Sequence, residues 1–135
     1  MDYLFKDPIF FLKEGDSFLL DKAKEKNFFI AELNGGVLHD KDSVLFAMHQ
    51  IFQTPDYNIY NLNSLNDWLG DLSWLGNKAG YIVLIKKIDD FLKEDVVFKN
   101  KFLSFLSSFT SYWKEEVQHV VVGGETKEFY VCVSL

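Results

Sequence analysis

Arginine is absent from this 135-residue chain, and all 14 of its basic residues are lysine. Twenty Asp and Glu oppose them, leaving a net charge of −6. The guanidinium group is the planar, bidentate reader of phosphate and guanine. An acidic chain without it is not expected to bind nucleic acid directly. The single cysteine, Cys132, cannot form an internal disulfide, so nothing points to an oxidising compartment. Only two prolines occur, and no Pro/Ser-rich linker or internal repeat divides the chain. No stretch approaches the ~20 apolar residues of a membrane helix. The first twenty residues carry Asp2 and Asp7 and lack a continuous apolar run, so they do not read as a signal peptide. The expected location is cytoplasmic.

Catalytic patterns are also missing. There is no P-loop, no G-x-G-x-x-G, no G-x-S-x-G and no H-E-x-x-H. His39, His49 and His119 stand apart, with no second ligand at metal-binding spacing. Cys132 lies in an apolar run, which favours burial over nucleophilic chemistry. Asp89-Asp90 and Glu115-Glu116 are adjacent, so on a helix their side chains diverge by about 100° and make no acid/base dyad. The expectation is a protein without catalytic residues, metal or cofactor.

What the chain does have is apolar mass. Hydrophobic residues make up 48% and include 14 Phe, enough for one well-packed domain. A short strand fits Ile9–Leu12. Ser17–Lys26 fits a short helix with Asp16 as N-cap and Phe18, Leu19 and Ala23 on its apolar side. Phe28–Leu33 reads as a strand ended by the turn Asn34-Gly35-Gly36. N-cap candidates at Asp40–Ser43 precede Val44, Leu45, Met48, Ile51 and Phe52 at helical spacing. Leu62, Leu65, Leu69, Leu72 and Leu75 make one continuous stripe, predicting a single helix. Tyr81–Ile85 is an unbroken apolar run, suited to a strand buried on both faces. A short helical turn is expected at Asp89–Lys93, then a long helix over Val97–Glu116. Phe129–Leu135 reads as the closing strand, with a candidate hairpin partner at Val120–Val122. Strands separated by helices predict an α/β fold with a small, mainly parallel sheet of about three core strands and crossover helices.

One segment departs from the average. From Ser43 to Asn77 there is no lysine, while Asp56, Asp67 and Asp71 stand among Asn residues and Tyr57, Tyr60, Trp68 and Trp74. Two readings are open. The segment is a negative surface with aromatic anchors for a basic protein, or a solvated helix whose Trp residues belong to the core.

The run Pro55-Asp56-Tyr57-Asn58-Ile59-Tyr60-Asn61-Leu62-Asn63-Ser64-Leu65-Asn66-Asp67-Trp68-Leu69-Gly70-Asp71-Leu72-Ser73-Trp74-Leu75 resembles the barstar family of ribonuclease inhibitors. The family's usual run is P-D-Y-(F/Y)-G-x-N-(W/L)-D-A-L-x-D-C-L-x-D-L-x-W-L. Ile30–Gly35 and Gly80–Ile85 look like the family's first two strands. The resemblance spans about residues 28–135 and implies a three-layer α/β domain there, with residues 1–27 an N-terminal extension packed on the same domain. It implies an immunity-type inhibitor that plugs the active site of a nuclease toxin, one-to-one, through its second helix and the preceding loop. Carboxylates would stand in for RNA phosphates. The implied partner-binding residues are Tyr57, Tyr60, Asn61, Asn63, Asn66, Asp67, Asp71 and Trp74. Asp67 matches an aspartate that dominates binding in a family complex. The departures lie at the implied contact surface. Asn63 replaces an Asp, Asn66 a position that is aromatic in the best-known member, and Asn58-Ile59-Tyr60 the aromatic-Gly-x step. They point to a diverged nuclease toxin or another basic toxin domain. The alternative is an interaction module on the same scaffold that has lost inhibition.

Overall fold

The computed structural model describes residues 9–55, 61–116 and 125–135. Four strands form one sheet: β1 (Ile9–Phe11), β2 (Phe28–Asn34), β3 (Gly80–Lys86) and β4 (Glu128–Val133). Their order is β1-β4-β3-β2, and every neighbouring pair is parallel. Parallel neighbours require crossovers. Helix α1 (Ser17–Glu25) lies between β1 and β2, α2 (Lys41–Ile51) and α3 (Leu62–Leu69) between β2 and β3, and α4 (Val96–Ser111) between β3 and β4.

The strands alternate strictly between two cores. Leu33, Tyr81, Val83, Ile85, Phe129 and Val131 point to the larger one, shared with α2, α3 and α4. Phe28, Ile82, Leu84, Tyr130 and Cys132 point to the smaller one, where Ala23 of α1 is fully buried and Leu19 and Leu20 pack beside it. The result is three layers, with α1 on one face and, among the described residues, no other helix beside it. This explains the unbroken apolar run of β3, which is buried on both sides.

Several details differ from the sequence expectations. The sheet has four strands among the described residues, because the N-terminal segment adds β1 beside β4, pairing Ile9 with Val131. Asp16 precedes α1 without capping it; its carboxylate accepts from the Lys13 N–H at 2.9 Å. Phe18 is half exposed, beneath the Lys22 ammonium, and Leu20 takes the inward place. Residues Asp89–Lys93 form consecutive turns rather than helix, and Leu92 among them has a φ of 53°. The long C-terminal helix changes pitch: α4 ends at Ser111 and one π-helical turn covers Tyr112–Glu116. The Val120–Val122 hairpin lies outside the described residues.

Three local signals hold. Asp40 caps α2 by accepting from the Ser43 N–H at 2.9 Å, a bond that holds its carboxyl below the usual carboxylate range. Asp95 caps α4 through the Phe98 N–H. The Asn34-Gly35-Gly36 turn follows β2, and a Cβ on Gly35 would collide with the carbonyls of Lys86 and Lys87.

Candidate protein-binding site

Helix α3 is only eight residues long, below the length at which a helix holds itself in water. Its form therefore depends on its ends and on its inward face. At the N-terminus the Asn61 side chain accepts from the Ser64 N–H at 2.8 Å. Inward, Leu65 and Leu69 are fully buried and Leu62 is half-buried. Outward, Asn63, Asn66 and Asp67 are all exposed. These three share a face because positions three and four apart are helix neighbours.

The leucine stripe runs past the end of the helix. Gly70 is the C-cap, and Leu72 adopts a left-handed φ of 56° with its side chain fully buried. Ser73–Leu75 then form a 3-10 turn. Leu72 and Leu75 still point inward, as their spacing predicted, but on a turned backbone. Asp71 therefore does not continue the outer face of α3. It is half-buried, and one carboxylate oxygen accepts from the Ser73 N–H at 3.3 Å. Its charge reaches inward to Tyr81, whose hydroxyl is pushed up to about 12, first by burial and then by Asp71.

The tryptophans pack as well as face outward. Trp74 is half-buried; its indole N–H donates to the Phe52 carbonyl at 2.7 Å, just past α2. Trp68 packs edge-on against it, with ring centres 5.6 Å apart. Tyr57 and Tyr60 lie outside the described residues. Of the expected site residues, the structure thus brings Asn63, Asn66 and Asp67 together on one open face. Asn61 lies at its N-terminal end, and Asp71 and Trp74 follow its C-terminal end.

Sequence reasoning missed the residues that hold the far end of α3. The Leu69 carbonyl accepts from the Trp113 indole N–H at 3.0 Å, and the Gly70 carbonyl from the Tyr112 hydroxyl at 2.6 Å. A buried Trp or Tyr needs a partner for its polar tip, but that signal does not say which carbonyl.

Among the described residues, no three His, Cys, Asp or Glu side chains are grouped to hold a metal ion. His49 is buried with Nδ1 2.7 Å from the Thr54 hydroxyl. His39 lies 4.0 Å from Glu94, and His119 is outside the described residues. Cys132 is buried in the smaller core, which pushes its thiol up to about 12, far from a reactive thiolate. Among the described residues, no helix is long and apolar enough to cross a membrane.

A family model described as "Barstar (barnase inhibitor)" matches residues 28–131. No curated protein and no solved structure matches the chain.

Proposed function

The chain belongs to the barstar family, and from that premise we propose that it is a protein inhibitor that blocks the active site of a nuclease toxin in a one-to-one complex. The contact surface is the open face of α3, formed by Asn63, Asn66 and Asp67. Asn61 borders it on one side and Asp71 and Trp74 on the other, and Tyr57 and Tyr60, which precede α3 in the sequence, complete the proposed set. The observation that carries this reading is that face itself: exposed, mounted on a short helix, and set in a segment without lysine from Ser43 to Asn77. A ribonuclease cleft is lined with cations that hold phosphate. A carboxylate and two amides on a fixed helix satisfy such cations and offer no bond to cleave. Opposite fields also speed the encounter.

Among the described residues, Asp67 is the only exposed carboxylate on this face, because Asn63 and Asn66 are amides. That reduced charge favours a diverged nuclease toxin over the usual extracellular enzyme. It also favours the second reading, an interaction module that no longer inhibits. Titrating the purified chain against basic microbial ribonuclease domains separates the two. The panel includes barnase and the product of any toxin-like gene beside its own. Stoichiometric loss of RNA cleavage is expected for at least one enzyme. Asp67→Ala is expected to weaken that complex by more than about 1 kcal/mol. Absence of inhibition across the panel defeats the inhibitor reading, and an unaffected Asp67→Ala complex moves the site elsewhere.

A further inference from the structure

We infer that Tyr112 and Trp113 are positioning residues for the α3 face, fixing its orientation from the far end of the chain; as far as binding goes, this rests on the function proposed above.

The last carbonyls of a helix have no partner within it. In α3 nearly all of them are accounted for, by two different means. The Asn66 carbonyl accepts from the Gly70 N–H at 3.2 Å, and the Trp68 carbonyl from the N–H groups of Asp71 and Leu72 at 3.0 and 3.1 Å. These are local closures of the helix end. The next two, Leu69 and Gly70, are met by Trp113 and Tyr112, more than forty residues away in sequence. Two consecutive residues thus hold two consecutive carbonyls. Both lie in the π-helical turn that follows α4, a distortion frequent at functional sites.

The donors are themselves fixed. Trp113 is buried, its ring lies 5.2 Å from that of Tyr81, and its carbonyl accepts from the Lys127 N–H at 2.9 Å. Tyr112 packs edge-on against both Phe109 and Trp113. On the acceptor side, Gly70 lets the phenol approach. A Cβ there would lie 3.2 Å from the Tyr112 hydroxyl oxygen and 3.3 Å from its Cζ, tighter than ordinary contact. Asn66 and Asp67 lie within one turn of Gly70. A shift of that carbonyl therefore moves the part of the open face that carries the charge.

The test is Tyr112→Phe, which keeps the ring and removes only the hydroxyl donor. Hydrogen exchange at the Gly70, Asp71 and Leu72 amides should speed up roughly fivefold to tenfold, the scale of one net hydrogen bond, while the amides of β3 keep their rates. Gly70→Ala, which crowds the phenol from the other side, should give the same local pattern. Unchanged exchange at these amides, or equal acceleration throughout β3, overturns the inference. Against a ribonuclease that the wild type inhibits, Tyr112→Phe should raise the dissociation rate by a similar factor. Its effect should be less than additive with Asp67→Ala. Faster exchange with an unchanged dissociation rate overturns the link to binding. If the wild type inhibits no ribonuclease, the function proposed above fails, and the exchange measurement still decides whether the aromatic pair positions α3.

Discussion

Helices α1 and α3 are nearly the same length, nine and eight residues, and sit on opposite faces of one sheet. They are built to different ends. Helix α1 carries Lys22 and Lys24, has no side-chain cap at Asp16, closes through backbone bonds alone and fully buries only Ala23. Helix α3 carries no cation, is capped by Asn61, is held by two aromatic donors at its far end, and buries Leu65 and Leu69. A helix that only covers apolar strands needs a smooth inner side and a solvated outer one. A helix that presents a recognition surface must also be kept from rotating or fraying. On the function proposed above, the extra fixtures of α3 are what separates a mounted face from a cover.

That contrast can be broken most severely at Trp113. Trp113→Ala should cost about 3–5 kcal/mol in chemical denaturation, since it empties a buried site and strips the Leu69 carbonyl of its donor. A loss no larger than a surface substitution would remove the distinction between the two helices. The caps offer a sharper comparison. Asn61→Ala should cost about 1 kcal/mol. Asp16→Ala, at the equivalent place on α1, should cost less than ~0.5 kcal/mol, because Asp16 bonds to the Lys13 amide outside the helix. Equal losses would mean that both helices are capped alike.

The remaining effect is alkaline. Each face covers one acid held neutral: Cys132 beneath α1, with its thiol raised from 9.0 to about 12, and Tyr81 on the other side, raised from 10.0 to about 12. A neutral acid with a raised folded value contributes stability in full below its unfolded value and loses it as pH rises toward the folded one. Denaturation midpoints should therefore fall from about pH 9 upward. Cys132→Ala should abolish the earlier part of that fall and leave the part due to Tyr81. A profile identical in the variant would show that the thiol beneath α1 is not held neutral.

Much of this arrangement was legible in the residues. The leucine stripe identified the inward side of α3, and the apolar run of β3 anticipated cover on both faces. The stripe also misled. Its spacing continues through Gly70 and Leu72 as though the helix did, because burial repeats in the 3-10 turn as well. Strand β1, at Ile9–Phe11, falls within the short strand expected at Ile9–Leu12, but three residues say nothing of which strand it joins. Asn61 is implied as a contact residue by the resemblance, and its place before Leu62 is also that of an N-cap. The partners of Tyr112 and Trp113 were not legible. A side chain's need for an acceptor is local, but the acceptor itself is set by how distant segments pack.

The pairing of β1 with β4 has a consequence in time. Ile9 finds its neighbour at Val131, and α1 docks on Ile82, Leu84 and Cys132, so the first segment cannot settle until the last strand exists. Helix α3 waits in the same way for its donors at 112 and 113. Such distant closures slow folding, because the entropy of joining remote segments is lost before their contacts form. As the chain emerges from the ribosome, the open face of α3 is therefore among the last parts to mature, and a truncated product would carry the α3 sequence without the means to hold its shape.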